Sequence, residues 1–269
     1  IAECIRKLKV SRSVIDKLIL DKVLLHRPKK IKKSKNKNIE FTSKTLSSNQ
    51  LKSYKIIKNF IKKDKNNVFV IDGVTGSGKT EVYFEVINKY INNRMQSLIL
   101  LPEISLSSQF LDRFSKRFGE KAYLWHSGLS MKQRHLTWQS VIKGEAKVVV
   151  GARSALFLPF INLGLIIVDE EHDISYKQED GVCYNARDMA VARGAMASLN
   201  VILVSATPSL ETLYNVNIKK YKKIEMHERY GLAVMPTIKL IDMRKEKLSS
   251  NQWLSDEAIE SIKNALKNK

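Results

Sequence analysis

The sequence predicts an α/β fold in which a mainly parallel β-sheet carries helices on both faces. The first observation is a set of five short apolar runs, rich in β-branched residues and separated by longer amphipathic segments; they are 68–71, 97–101, 147–151, 165–169 and 201–206. Such continuous runs are typical of parallel strands buried on both faces. The second observation is that glycine-rich, acidic or hydroxyl-bearing segments follow several of these runs. Ligands bind in that position, beyond the carboxyl ends of parallel strands.

Length and charge limit the possible functions. The 269 residues are enough for one large domain or for one domain and a smaller unit. An excess of 47 Lys and Arg over 27 Asp and Glu gives a net charge of +20, which favours a polyanionic partner such as nucleic acid. No apolar run approaches the roughly 18 residues of a membrane-spanning helix. We therefore expect a cytoplasmic, monomeric protein with no membrane partner.

The first forty residues differ in composition from the rest. The pattern in residues 10–25 predicts a short helix that begins after Ser11, with Val14, Ile15, Leu18 and Ile19 on its apolar face. It fits either a helix-turn-helix remnant or any short amphipathic helix. Six lysines then fall between Lys29 and Lys37, a composition typical of a solvated linker that also has the charge to touch phosphates. A second helix is predicted near residues 51–63.

The glycine-rich turn after the first strand has the form of a phosphate-binding loop. The sequence GVTGSGKT comprises Gly73, Val74, Thr75, Gly76, Ser77, Gly78, Lys79 and Thr80. Its glycines let backbone N–H groups converge on phosphate oxygens, and Lys79 supplies a cation for the β- and γ-phosphates. The Thr80 hydroxyl is a ligand for Mg²⁺, and the positive end of the following helix faces the anion. The sequence therefore predicts a nucleoside triphosphate site.

The strand at 165–169 ends in the acidic sequence DEEH. Asp169 is expected to hold Mg²⁺, and Glu170 is expected to orient and deprotonate the attacking water. His172 is either a plain loop histidine or a relay from the nucleotide to Ser205, Ala206 and Thr207, which follow the last apolar run. Two distant cysteines, Cys4 and Cys183, offer no metal-ligand spacing.

Together the three motifs, in this order, resemble the first RecA-like lobe of superfamily 2 helicases. Small kinases and switch GTPases share the phosphate loop but lack DEEH followed by SATPS. The segments LLPEISL, HSGLS, YNARDMAVARGA and above all GARSALFLPFINLGLIIVDEEHDISYKQ resemble the PriA family of replication-restart helicases over nearly the whole chain. The resemblance implies a RecA-like P-loop lobe that uses ATP and Mg²⁺.

The same resemblance implies roles for further residues. Gln50 matches the family's adenine-reading glutamine, although an exposed helix-start glutamine is the alternative. The segment after DEEH matches an aromatic-rich loop that binds single-stranded DNA, although surface tyrosines packed on the lobe are the alternative. DNA contacts are thereby expected from two groups of side chains: Pro102, Glu103 and Arg153, and Tyr176, Lys177, Gln178, Tyr184 and Arg187.

The resemblance also implies a domain plan. We expect a winged-helix remnant at 1–28, a basic linker at 29–40, the ATP-binding lobe at 41–245 and a helical segment at 246–269 that leads to a second lobe. The family's zinc-binding cysteine cluster belongs to that second lobe, and its ligands have no counterpart here. On this plan the chain is a fragment without the opposing arginine fingers, whose absence typically slows hydrolysis by about 10³–10⁵.

The expected function is therefore that of the ATP-binding lobe of an ATP-dependent 3′→5′ DNA helicase. The resemblance implies a role in replication restart and primosome assembly, with single-stranded and forked DNA, primosome proteins and single-strand binding protein as partners. Two alternatives stay open. One is another superfamily 2 translocase or RNA helicase, which strand preference would distinguish. The other is an ATP- and DNA-binding module without motor activity.

Overall fold

The computed structural model describes residues 11–21, 23–24, 41–63, 66–102, 107–230, 238–244, 248 and 252–267. The chain separates into two compact units, Ile1–Glu40 and Phe41–Lys269. Within the first unit, helix α1 spans Arg12–Leu20 and has Ser11 at its N-cap position, as the sequence predicts. The Ser11 side chain does not cap the helix, however, and lies 2.8 Å from the Ser13 hydroxyl oxygen. The predicted linker lies outside the described residues.

The second unit is built on a seven-stranded sheet in the order β3-β4-β2-β5-β8-β1-β9, in which every paired strand is parallel. The strands of this sheet are β1 (Val68–Gly73), β2 (Gln96–Leu100), β3 (Tyr123–Trp125), β4 (Val148–Gly151), β5 (Leu163–Asp169), β8 (Asn200–Ser205) and β9 (Lys222–Met226). All five apolar runs form strands of this sheet. The predicted fold class is confirmed.

The helices of this unit are α2 (Ser48–Lys63), α3 (Lys79–Asn92), α4 (Ser108–Phe118), α5 (Met131–Ile142), α6 (Ala186–Ala197), α7 (Leu210–Asn217) and α8 (Asp256–Lys267). No residue of α8 is buried. Short 3₁₀ helices span Arg153–Phe157 and Ile174–Tyr176, and a small antiparallel hairpin pairs β6 (Lys177–Gln178) with β7 (Tyr184–Asn185). In the part of the chain that the structure describes, no helix is long and apolar enough to cross a membrane.

Two strands of the seven-stranded sheet escaped the sequence-based prediction because they lie at its edges. Strand β3 has only three residues, all partly exposed, and β9 alternates buried Ile224 and Met226 with charged neighbours. An edge strand has one neighbour and more solvent, so its sequence is not the continuous apolar run that marks a central strand. By contrast, β8 is buried along its entire length.

The core contains the apolar strand residues and the helix faces packed on them. Helix α3 contributes Tyr83 and Phe84, which are fully buried. The Phe84 ring meets Phe110, Phe114 and Phe118 of α4 edge-on, at centroid distances of 6.0, 5.9 and 5.3 Å. These aromatic contacts fix α4 beside α3, the helix that begins at the phosphate loop.

Sheet register brings the three motifs together. Strand β8 lies between β1 and β5, so that Ser205 pairs with Asp72 just before the phosphate loop, and Val204 pairs with Asp169. The segment that follows Ser205 therefore lies between the phosphate loop and the DEEH sequence, although both are far away along the chain.

Candidate nucleotide site

The phosphate loop has the backbone conformation that its glycines predict. Gly76 and Gly78 have φ values of 84° and 83°, in the left-handed region that a side chain disfavours. At Gly78 an added Cβ would meet Gln50 Nε2 at 2.1 Å. Ser77 is 2% exposed, and its hydroxyl has no hydrogen-bond partner among the described residues.

Lys79 begins α3 and folds back into the loop. Its ammonium donates to the carbonyl oxygens of Gly73 (2.7 Å) and Val74 (3.4 Å). Burial lowers the pKa of Lys79, whereas the carboxylates of Glu170, Asp169 and Asp72 act in the opposite direction. A partly desolvated cation in a cradle of N–H groups is well suited to hold phosphate oxygens.

The loop forms one wall of a cavity of about 430 Å³. This volume lies within the usual range of about 300–1,000 Å³ for small-ligand sites. The cavity lining comes from two groups of residues. The phosphate loop and DEEH contribute Thr75, Gly76, Gly78, Lys79, Thr80, Asp169 and Glu170, and the remaining lining residues are Lys44, Thr45, Leu46, Gln50, Glu81, Arg113 and Tyr230. The DEEH carboxylates and the phosphate loop thus share one cavity.

Asp169 is buried at the end of β5. Its Oδ2 accepts a hydrogen bond from the Tyr83 hydroxyl (2.8 Å), and its Oδ1 accepts one from the Glu170 backbone N–H (3.0 Å). Burial raises the pKa of Asp169 to about 6, against the lowering effects of the Tyr83 hydrogen bond and Lys79. A buried carboxylate held by two donors costs free energy when ionised, and a cation would lower that cost.

The cavity lining beside Lys79 has side-chain oxygens that fit a magnesium ion. Asp169 and the Thr80 residue both line the cavity beside Lys79. Among the described residues no group of three or more His, Cys, Asp or Glu side chains could hold a metal. The Asp169 carboxylate and the Thr80 hydroxyl are oxygen ligands of the kind that Mg²⁺ takes, with water and substrate phosphates completing its shell.

The residues after Asp169 form a tight turn that leads to His172. Glu170 has a φ of 49°, a left-handed conformation that is uncommon without glycine, and its carbonyl accepts from the Asp173 N–H (2.9 Å). His172 Nδ1 lies 3.7 Å from Glu170 Oε2 and 2.7 Å from the Ser205 hydroxyl oxygen.

The Ser205 hydroxyl in turn accepts from the Thr207 N–H at 2.9 Å, and Ala206 lies between the two. The structure thus brings together His172 and the SAT segment, the pair that the relay hypothesis requires.

Gln50 is 2% exposed and lies behind the phosphate loop. Its Nε2 donates to the Ser77 carbonyl (3.2 Å), and its Oε1 accepts from the Ser47 N–H (3.0 Å). The alternative of an exposed helix-start glutamine is therefore wrong. One amide hydrogen of Gln50 is already used to support the loop. That the second amide hydrogen binds adenine stays a prediction.

Two of the expected DNA contacts need correction, because their side chains are buried. Tyr176 is 1% exposed, and its hydroxyl lies within hydrogen-bond distance of the carbonyl oxygens of Leu100 (2.9 Å) and Asp169 (2.6 Å). A base has no access to this ring. Arg187 is 7% exposed, and its guanidinium bonds the Ser209 hydroxyl (2.6 Å) and lies 3.4 Å from Glu171 Oε2. Both are structural residues of the lobe.

The other expected DNA contacts lie near the carboxyl ends of β2 and β4. Pro102 and Arg153 line a second, smaller cavity of about 130 Å³. Arg153 Nη1 donates to the carbonyl oxygens of Ser175 (3.1 Å) and Lys177 (2.8 Å), so this arginine also fixes the start of the hairpin. Glu103 lies outside the described residues.

The β6–β7 hairpin carries the remaining three. Lys177 is exposed and forms an ion pair of 2.9 Å with Glu179. Gln178 and Tyr184 are directly paired across the hairpin. They are therefore neighbours at the surface, and their contact with DNA stays a prediction.

Sequence reasoning missed several residues that the structure places at these sites. Glu171 is fully engaged in a buried network with the Ser209 N–H, the Thr212 hydroxyl and Arg187, which ties DEEH to the start of α7. Phe157 is 57% exposed and meets the Tyr184 ring edge-on at 5.3 Å. Arg113 and Tyr230 line the nucleotide cavity. The third acidic residue of DEEH, Glu171, was the only signal in the sequence for any of these.

These features define a nucleoside-triphosphatase lobe of the helicase class, and comparison with known families agrees. The chain belongs to the DEAD/DEAH box helicase family, whose family model matches residues 47–216. Its curated relatives include proteins named Replication restart protein PriA. The relative from Rickettsia felis is 46% identical over 255 residues, which cover 95% of this chain and 38% of the relative. The relative from Bacillus subtilis is 40% identical over 222 residues, covering 82% and 28%.

The resemblance to PriA inferred from the motifs is thereby confirmed. The chain spans less than two fifths of the length of these curated relatives. Among solved structures, that of RecG bound to a three-way DNA junction aligns with 82% of this chain and 26% of its own, at 19% identity and a TM-score of 0.52. At that identity the likeness concerns the fold alone, and it agrees with the RecA-like architecture predicted from the motifs.

Proposed function

We propose that this chain is the ATP-binding first lobe of an ATP-dependent 3′→5′ DNA helicase that acts in replication restart. The observation that carries the proposal is the shared cavity in which Lys79, Asp169 and Glu170 meet. A phosphate loop, a buried carboxylate and an acidic side chain at one cavity are the parts that phosphoryl transfer to water requires. The names of the curated relatives support the replication-restart role, which concerns the whole protein.

Each residue has a distinct task in the proposed reaction. Lys79 and the loop N–H groups bind the β- and γ-phosphate oxygens, and α3 directs its positive end at them. Glu170, half exposed beside the cavity, orients the attacking water and accepts its proton. Thr80 and Asp169 would hold Mg²⁺, which neutralises charge on the phosphates when bound. The transferred phosphoryl group leaves ADP and combines with the water oxygen.

The SAT segment gives the lobe a route by which it responds to the state of the nucleotide. His172 contacts the Ser205 hydroxyl and faces Glu170, so a change at the catalytic carboxylate reaches β8 within two contacts. We infer that this contact passes the state of the nucleotide to the DNA-binding surface. The net charge of +20 supports a DNA partner, since Lys and Arg that neutralise phosphates supply most non-specific affinity.

The partners of the whole protein are proposed on the same basis. Single-stranded and forked DNA, primosome proteins and single-strand binding protein fit a replication-restart helicase, and the cytoplasm is the corresponding location. Mg²⁺ and ATP are the proposed cofactors. Zinc is assigned to no residue of this chain.

The test measures nucleotide and strand binding at low salt, where phosphate contacts are strongest. We expect ATP·Mg²⁺ to bind the parent chain, and Lys79→Ala to weaken binding at least 100-fold through loss of the phosphate cation. Lys132→Ala, which removes an equal charge from the exposed start of α5, is the matched control. Equal affinity in the parent and Lys79→Ala would show that the loop does not bind the nucleotide.

Strand choice and turnover test the rest of the proposal. ATP hydrolysis is measured with no strand, with single-stranded DNA and with RNA of the same sequence. Stimulation by DNA above RNA is expected. A preference for RNA would favour a different helicase of the same class, and binding without any turnover would favour a module that lacks motor activity.

A further inference from the structure

The lining of the nucleotide cavity includes an exposed tyrosine and an arginine, from outside the phosphate loop and DEEH, that the proposed function does not use. We propose that Tyr230 and Arg113 form the surface that binds the nucleobase, with the tyrosine ring and the planar guanidinium each laid on a face of the base. The inference rests on the proposed ATP site and extends it to two residues that no motif marks.

The position of Tyr230 is fixed against the phosphate loop. Strand β9 pairs with β1, bringing Met226 opposite Gly73, and the Met226 carbonyl accepts from the Val74 N–H at 3.2 Å. The chain then runs along the loop, and the Tyr230 N–H donates to the Gly76 carbonyl at 2.9 Å. The backbone of Tyr230 is thus held at the tip of the loop, one residue from the Ser77 carbonyl that Gln50 binds.

The side chain of Tyr230 is 59% exposed and lines the cavity. A large ring at the edge of a ligand cavity, with its backbone already hydrogen-bonded, loses little conformational freedom when a flat ligand covers it. Aromatic rings gain from offset or edge contacts with other π-systems, in addition to the area they bury. Gln50 and Tyr230 bind adjacent carbonyls of the loop, so a base that reaches one of them lies close to the other.

Arg113 approaches the same cavity from α4. Its Nη2 lies 3.2 Å from Glu81 Oε1, and Lys44 Nζ lies 3.5 Å from the same oxygen. Glu81 follows Thr80 on the first turn of α3 and is also 3.6 Å from the buried Arg117. The carboxylate thereby fixes the Arg113 guanidinium at one end. Its side chain is 48% exposed, which leaves area open toward the cavity.

The cavity lining has to bind both the phosphates and the base of the nucleotide. In the proposed function Lys79, Thr80 and Asp169 bind the phosphates and their cation. The lining residues outside the phosphate loop and DEEH include the Tyr230 ring, the Arg113 guanidinium, the aliphatic Leu46 and the amide of Gln50. Aromatic rings and planar guanidinium groups both stack on the faces of π-systems. These residues therefore suit a purine base.

Stacking is tolerant of base identity, since every base has a π-face. We therefore expect Tyr230 and Arg113 to strengthen binding of ATP and GTP alike. Any preference between the two falls to groups that hydrogen-bond the base edge, such as the Gln50 amide in the cavity lining.

The experiment compares ATP with inorganic tripolyphosphate, which has the phosphates and no base. Calorimetric titrations of both ligands, with Mg²⁺, are made on the parent chain, Tyr230→Ala, Tyr230→Phe and Arg113→Lys. We expect ATP to bind about tenfold more weakly to Tyr230→Ala, severalfold more weakly to Arg113→Lys and within twofold of the parent to Tyr230→Phe. Tripolyphosphate should bind all four within twofold of one another.

Tyr214→Ala is the matched control, because Tyr214 is 64% exposed on α7 and does not line the cavity. The inference is overturned if Tyr230→Ala binds ATP as the parent does. It is also overturned if this variant loses ATP and tripolyphosphate affinity in equal measure, since the side chain would then act on the loop. A parent chain that binds neither ligand would refute the proposed ATP site itself, and this inference with it.

Discussion

His172 Nδ1 lies 2.7 Å from the Ser205 hydroxyl oxygen, and this contact joins the turn after β5 to the end of β8. The two residues come from motifs that are separate in sequence. They meet because Val204 and Asp169 are paired in the sheet, so both strands end at the same level. Glu170 Oε2 lies 3.7 Å from the same Nδ1, so the histidine is close to both the proposed catalytic carboxylate and the SAT segment.

Replacement of His172 by alanine should separate hydrolysis from DNA binding. The cavity residues that bind phosphate stay in place, so we expect ATP affinity within about twofold of the parent. Stimulation of hydrolysis by single-stranded DNA should be lost. The measurement is steady-state hydrolysis with and without DNA, and His135→Ala on the exposed side of α5 is the control. Undiminished stimulation in His172→Ala would contradict the relay.

Replacement of Asp169 by asparagine should change how stability depends on pH. The pKa of Asp169 is raised from 3.8 to about 6, so the folded state holds a proton that the unfolded state has already released between about pH 4 and 6. Stability from this group therefore falls as the pH rises through that window. Asparagine keeps a carbonyl oxygen for Tyr83 or the Glu170 N–H and carries no buried charge.

We expect Asp169→Asn to be more stable than the parent by on the order of 2 kcal/mol at pH 7.5 and nearly equal to it at pH 4. Urea unfolding at the two pH values measures the difference. Mg²⁺-dependent ATP binding by the parent should also weaken below pH 6, where the carboxyl group becomes neutral. A parent that is more stable than the variant at pH 7.5 would show that the ionised carboxylate is well compensated.

Replacement of Arg187 by alanine distinguishes a structural role from DNA contact. Removal of the guanidinium would leave the Glu171 carboxylate buried without its cation, and breaking a buried pair typically costs about 3–5 kcal/mol. The Ser209 and Thr212 donors that remain place the expected loss at the lower end, about 3 kcal/mol.

Denaturant unfolding measures this loss, and Glu171→Gln added to Arg187→Ala should recover part of it because the buried charge is gone. Lys116→Ala, on the exposed surface of α4, is the control for loss of charge alone. Its free energy of unfolding should stay within about 0.5 kcal/mol of the parent value. Weaker DNA binding with unchanged stability would restore Arg187 as a DNA contact.

Replacement of Gln50 by alanine tests whether its amide reads the base or only supports the loop. Loss of the hydrogen bonds to the Ser77 carbonyl and the Ser47 N–H loosens the loop. We expect the free energy of unfolding to fall by about 1–2 kcal/mol. If the amide also reads adenine, ATP affinity should fall more than GTP affinity. Competition of the two nucleotides against one fluorescent analogue measures both, and equal losses would assign Gln50 to loop support alone.

The sequence by itself determined the elements whose signal is local. Each central strand is a continuous apolar run because parallel strands are buried on both faces. The phosphate loop can be identified from the sequence because its backbone needs glycine at Gly76 and Gly78. DEEH and SATPS follow such strands, so their meeting at one edge of the sheet could be expected from the fold class. At these positions the residue types alone indicate the local structure.

Only the tertiary structure decided which polar and aromatic side chains are buried. Tyr176 and Arg187 look like surface residues in a charged, aromatic segment, yet the first turns its hydroxyl to Leu100 and Asp169 and the second pairs with Glu171. Arg113 and Tyr230 reach the nucleotide cavity from α4 and from the end of β9. A sequence gives a residue's chemistry, but burial and partners depend on contacts made across long stretches of chain, and those exist only once the sheet has set their register.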